Sequence, residues 1–166
     1  MFPISHFNIT RTPFYYYDKT LLSNTLAKLI RLAGERNYHV HYAVKANANP
    51  EILKLIAASG IGADCVSGGE IKAALEAGFP AKKIVFAGVG KADWEIEYAL
   101  EKKIFCFNVE SAEELSVIEE LAKKKENIAS IALRINPNID AHTHEYITTG
   151  LSENKFGIPI LSLIHI

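Results

Sequence analysis

The sequence predicts an α/β fold, the N-terminal part of a truncated TIM-type (β/α)8 barrel with about five βα units. Three observations predict it. Strand-like runs begin at His39, Ile61, Ile84, Ile104 and Ile128 with helix-like stretches between them, a rhythm that demands parallel strands. Within the runs the two side-chain parities differ in chemistry. Val40, Tyr42 and Val44 oppose His41, Ala43 and Lys45; Asp64 opposes Ala63 and Cys65; Phe105, Phe107 and Val109 oppose Cys106 and Asn108; Ile131, Leu133 and Ile135 oppose Ala132, Arg134 and Asn136. Bulky apolar residues suit packing beneath helices, and small or polar ones suit a lumen with a polar mouth. The run at Ile84 does not discriminate. Finally, no Gly-x-Gly-x-x-Gly turn follows any strand, which weighs against the alternative of an open, doubly wound sheet. A complete barrel takes roughly 250 residues. The 166 residues here predict a partial barrel domain over residues 1–160.

The elements follow in order. Residues 1–11 carry little periodicity and read as a leader or an edge segment. Thr12 to Asp18 is an aromatic-rich strand that stops at an acidic N-cap. Leu21, Leu22, Leu26, Leu29 and Ile30 mark the apolar stripe of a helix closed by Gly34. The next strand ends at Lys45, and Asn49 with Pro50 starts a helix that runs to about Ser59. Ile61 to Ser67 is a strand, Gly69 to Ala77 a helix ended by Gly78, Ile84 to Gly88 a strand, and Asp93 to Lys102 a helix. After the strand Ile104 to Val109, Ser111 with Glu114 forms a capping box, and Lys123, Lys124 and Lys125 complement the far end of that helix. Ile128 to Ile135 is the last strand.

Bulk properties exclude several classes. Nearly half the residues are apolar (49%), 22% are charged, and the formal net charge is −1, so nothing electrostatic favours nucleic acid or an anionic membrane. Cys65 and Cys106 lack metal spacing and read as buried thiols of a reducing compartment. No apolar run spans a bilayer and no signal-peptide layout appears, so the expected location is cytoplasmic.

The chain is organised around His39-Val40-His41-Tyr42-Ala43-Val44-Lys45-Ala46-Asn47. Lys45 closes a strand at its carboxyl end, where α/β folds place chemistry. A lysine there either loses its proton by desolvation and attacks a carbonyl, or simply wets the strand end. Asp64 closes the next strand, and Glu70 in the first helical turn serves either an acidic cluster or the helix dipole. Arg134 is either a rim ion pair or an anion's partner. Lys45, Asp64, Asn108 and Arg134 are expected at one point. His142, His144 and Glu145 lack the further ligands that a metal site requires, so no metal is expected.

Tyr42-Ala43-Val44-Lys45-Ala46-Asn47 resembles the lysine motif of the fold-type III pyridoxal-phosphate enzymes, the alanine racemase and ornithine decarboxylase class. Asp64-Cys65-Val66-Ser67-Gly68-Gly69-Glu70, Val89-Gly90-Lys91 and Asn108-Val109-Glu110-Ser111 also follow that class. Asn136-Pro137, Asp140, Thr143-His144-Glu145-Tyr146-Ile147, Thr149-Gly150 and Lys155-Phe156-Gly157-Ile158 resemble the pattern of its diaminopimelate decarboxylases. The resemblance implies an alanine racemase-like barrel and the cofactor pyridoxal 5'-phosphate. It implies covalent attachment at Lys45, with Asp64 nearby and Arg134 at the ring's phenolic oxygen; Glu70, Asn108 and His144 would stand at the site's rim. It further implies decarboxylation of meso-2,6-diaminopimelate to L-lysine, an amino-acid substrate, and a homodimer with shared active sites. The alternatives are a related amino-acid or polyamine decarboxylase, or a non-catalytic pyridoxal-phosphate-binding homologue. The family's phosphate cradle, ring-nitrogen acid and C-terminal β-domain come later than this sequence reaches, so the chain alone is expected to be inactive. Leu161 to Ile166 departs from the pattern and matches one reading frame of a transposon-end tag used in DNA library preparation; this tail is expected to be non-native.

Overall fold

The computed structural model describes residues 4–137 and 157–159. A short helix, α1 (Ile4–Phe7), stands within the expected leader. The aromatic run from Thr12 to Asp18 forms no strand, contrary to its β propensity. Its rings pack locally instead: Phe7 lies 5.3 Å from Phe14 and 5.2 Å from Tyr16. Asp18 does cap α2 (Lys19–Gly34), its carboxylate accepting the Leu21 N–H at 2.9 Å, and α2 buries Leu26 and Ala33.

Strand β1 (His41–Ala43) is shorter than its apolar alternation suggests, because Val44–Ala46 winds into a 3-10 turn. Lys45 therefore sits in that turn rather than in the strand. Asn47 braces the turn: its carbonyl accepts from the Tyr42 hydroxyl at 3.1 Å, and its side chain donates to the Tyr17 hydroxyl at 3.1 Å. Helix α3 (Pro50–Ala58) starts as predicted, with Asn49 accepting the N–H groups of Glu51 and Ile52.

Then come β2 (Gly62–Cys65), α4 (Gly68–Ala77), β3 (Ile84–Phe86), α5 (Asp93–Lys102), β4 (Cys106–Val109), α6 (Ala112–Lys124) and β5 (Ile131–Leu133). Gly78 ends α4 at φ 99°, a left-handed conformation that costs glycine little. The predicted final strand is broken at Arg134. Beyond it, β6 (Ile135–Asn136) leaves the sheet and pairs with β7 (Ile158–Pro159).

All pairings are parallel and the sheet order is β1-β2-β3-β4-β5. Each strand lies beside its predecessor, as barrel staves do, whereas a doubly wound sheet reverses direction at a switch point. Helices α3, α4, α5 and α6 pack in the same sequence outside it. Ala63, Cys65, Ile84, Phe86, Phe107 and Val109 face these helices and are almost completely buried with Leu53, Ile56, Ile71, Ile96 and Ile118. Each large side chain among them contributes roughly 1.5–3 kcal/mol of transfer free energy. Cys65 is fully buried, and burial, then Glu70 and Asp64, push its thiol up to about 12. Cys106, expected to be buried, is only half-buried, because its parity places it on the opposite face from Phe107.

Candidate active site

The carboxyl ends of the parallel strands surround a cavity of about 480 Å³ lined by Lys45, Asp64, Val66, Ala87, Gly88, Asn108, Glu110, Ala132, Leu133 and Arg134. Parity and register explain the convergence. Ala43 lies opposite Asp64, and Asn108 opposite Ala132, so residues on the lumen side of adjacent strands stand level with one another. Lys45, Asp64, Asn108 and Arg134, singled out strand by strand, thus line one space. Glu70 does not. Its carboxylate folds back onto the Val66 N–H at 2.8 Å while Ser67 caps the Glu70 N–H at 3.2 Å, so it completes the start of α4. His144, with His142 and Glu145, lies outside the described residues. Among the described residues no group of His, Cys, Asp and Glu is placed to hold a metal ion.

Lys45 is exposed to the cavity and makes no hydrogen bond or ion pair among the described residues. Oδ1 of Asp64 is buried without a hydrogen-bond partner among the described residues. Burial raises the Asp64 carboxyl above the usual carboxylate range, opposed by the positive fields of Lys45, His41 and Arg134. His41 stands on the same face of β1 two residues before Ala43. Burial lowers its imidazole, and Asp64 partly counteracts this.

Glu110 is the residue that strand-by-strand reading missed. It is 5% exposed, and its carboxylate accepts from Nη1 of Arg134 at 3.0 and 3.3 Å and from the Gly157 N–H at 3.2 Å. Gly157 adopts φ 80°, and a Cβ there would stand 3.0 Å from the Arg134 carbonyl, so a glycine fits this close approach. In the sequence Glu110 is an acid just after an apolar strand end, inside the Asn108-Val109-Glu110-Ser111 stretch, with nothing to mark its pairing with Arg134. Its partner is 24 residues away. The Ser111 cap also differs from the expected box. Ser111 accepts the Glu114 N–H at 3.1 Å, but Glu114 returns to the Glu110 N–H rather than to Ser111.

A site with a free amine, a buried acid lacking a donor and a permanent cation is suited to a ligand that is both carbonyl and anion. Comparison with known proteins bears on what that ligand is. The family described as pyridoxal-dependent decarboxylase, pyridoxal binding domain, matches residues 23–165. The chain belongs to this family, and its cofactor is pyridoxal phosphate. Within the family it is similar to diaminopimelate decarboxylase of Bacteroides thetaiotaomicron, 64% identical over 159 residues, which are 95% of this chain and 41% of that protein. The structure of diaminopimelate decarboxylase from Helicobacter pylori complexed with L-lysine superposes with a TM-score of 0.86 at 46% identity, over 98% of this chain and 41% of that one. An arginine decarboxylase of Paramecium bursaria Chlorella virus, at 22% identity and a TM-score of 0.80 over 98% of this chain and 41% of that one, shares the fold alone. The five-stranded sheet is thus the N-terminal part of their barrel. The chain spans about two-fifths of the length of the relatives it matches. Among the described residues no helix is long and apolar enough to cross a membrane.

Proposed function

We propose that this chain supplies the lysine-bearing part of a pyridoxal-phosphate-dependent decarboxylase that converts meso-2,6-diaminopimelate to L-lysine. The observation that carries the reading is the convergence of Lys45, Asp64, Asn108 and Arg134 on one cavity, in a chain 64% identical to a diaminopimelate decarboxylase. The residues present fit the cofactor. The unpartnered Oδ1 of Asp64 faces a need for a donor, Lys45 is uncommitted, and Arg134 carries a charge that is not lost at any working pH.

In this reading Lys45 would hold the cofactor covalently through its amine, and Arg134 would lie at the phenolic oxygen. Bound pyridoxal phosphate supplies the electron sink for the carbon that loses carbon dioxide. Asp64 stands beside Lys45 with its carboxyl raised, chiefly by burial, above the usual carboxylate range. Glu110 orients the Arg134 guanidinium, and the Tyr42–Asn47–Tyr17 contacts fix the turn that carries Lys45. Asn108 stands at the rim beside Ala132. The whole protein is a cytoplasmic homodimer with shared sites, in line with the family resemblance, and sedimentation of the purified protein checks this.

The test is carbon dioxide release from meso-diaminopimelate by the whole protein, with borohydride trapping to locate the cofactor. Release together with a trapped adduct on Lys45, both lost in Lys45→Ala, is the expected result. Trapping without release would identify a non-catalytic binder. Release from a different amino acid alone would move the assignment to another decarboxylase.

A further inference from the structure

Lys91 lies just behind the cavity wall. Its side chain is 1% exposed, and its ammonium donates to the carbonyls of Gly88 at 2.7 Å and Asn108 at 2.8 Å and to Oε1 of Glu114 at 2.6 Å. The same ammonium sits 5.4 Å from the centroid of the buried Phe86 ring. Gly88 and Asn108 both line the cavity, so Lys91 ties together the ends of two adjacent strands from outside the site. Glu114 extends the connection. Its second oxygen accepts the Glu110 N–H at 3.1 Å, and the Glu110 carboxylate in turn holds Arg134 and Gly157. A continuous chain of polar contacts therefore runs from a buried ion pair to the guanidinium on the cavity.

Stability alone is a weak reason for such a pair. Removing two charges from water is costly, and apolar side chains of similar volume often serve a core as well or better. A fixed charge-assisted network does what an apolar contact does not: it aims hydrogen-bonding groups.

We propose that the Lys91–Glu114 ion pair is a positioning device. It sets the Glu110–Arg134 pair at the cavity rim and, through Arg134, the affinity of the site for pyridoxal phosphate. The second half of this statement rests on the function proposed above; the first half does not.

The experiment uses the full-length protein with two replacements, Lys91→Met and the double variant Lys91→Met/Glu114→Leu. Ile118→Val, a trim of the helix α6 core, serves as the control. The single variant leaves Glu114 buried without its cation and is the one expected to fold poorly; the double variant removes both charges. Two readouts are taken: the rate at which phenylglyoxal labels Arg134 without cofactor, followed by peptide mass spectrometry, and the pyridoxal phosphate Kd from absorbance titration. Energetic coupling through such networks predicts labelling about fivefold faster in the double variant. Loss of outer-layer support predicts binding about tenfold weaker, with Lys45 still the attachment point. Ile118→Val is expected to change neither. A double variant that labels and binds like the wild type, or that does not fold at all, would overturn the inference and leave the pair as a brace for the fold. If the wild type binds no cofactor at Lys45, the proposed function fails instead, and the labelling rates still decide the positioning claim.

Discussion

Two lysines follow two parallel strands, and the protein treats them in opposite ways. Lys91, after β3, has all three ammonium protons engaged and almost no exposure. Lys45, after β1, is exposed and makes no hydrogen bond or ion pair among the described residues. A lysine whose donors are spent on carbonyls and a carboxylate is held out of reach. One left without partners at the mouth of a cavity remains available to a ligand. The apolar runs before them do not separate the two; the motif around Lys45 and the surroundings of each side chain do.

The contrast is most sharply broken by exchanging the roles. Lys45→Ala is expected to abolish cofactor trapping while leaving stability within about 0.5 kcal/mol of the wild type, as for an exposed side chain without partners. Lys91→Met is expected to lose about 3 kcal/mol, because it strands a buried carboxylate. Urea midpoints of the two variants measure this directly. Equal destabilisation by both would erase the distinction.

Asp64 sharpens the comparison from the Lys45 side. Its folded-state carboxyl is raised, chiefly by burial, so the stability that its protonated form contributes is present below the ordinary aspartate range and lost as pH climbs through the raised value. Asp64→Asn should therefore flatten the decline of stability above about pH 4. At neutral pH it should leave the protein more stable than the wild type, with cofactor binding weakened. Thermal unfolding between pH 4 and 8 reads the first effect, and a stability profile parallel to the wild type would contradict it.

The smallest effect belongs to a third lysine. Lys125 meets Glu101 at 2.8 Å and Glu97 at 3.8 Å, linking α6 to α5 on the surface. Solvent screens such pairs, so Lys125→Ala should leave the urea midpoint unchanged within error in moderate salt. A clear shift would mean that surface pairing, and not only the buried pair, joins these helices.

The elements were legible in the sequence to different degrees. Asp93–Lys102 falls where the predicted helix does, and caps at Asp18, Asn49 and Ser111 mark real starts, because helix termini are local chemistry. Strands were overextended: Ile61 to Ser67 pairs only over Gly62–Cys65, since pairing depends on the neighbour and stops where the chain turns. The run through Tyr15, Tyr16 and Tyr17 has strand composition but no strand beside it. In the site, alternation placed Lys45, Asp64, Asn108 and Arg134 on a common side. The supporting pairs Lys91–Glu114 and Glu110–Arg134 join residues 23 and 24 positions apart, and no local pattern encodes them.

The sequential strand order has a consequence for how the chain acquires its shape during synthesis. His41 meets Gly62, Ala63 meets Ile84, Val85 meets Cys106 and Phe107 meets Ile131. Every strand of the five-stranded sheet after β1 therefore docks on the one made immediately before it, with a single α-helix in the connection. Loop-closure entropy stays small at each step, and no strand waits for a partner from a distant part of the chain. Assembly is able to proceed from the amino end as the polypeptide leaves the ribosome, β1 with β2 first. At each moment two strand edges stand open, that of β1 and that of the newest strand, and the next βα unit covers the second.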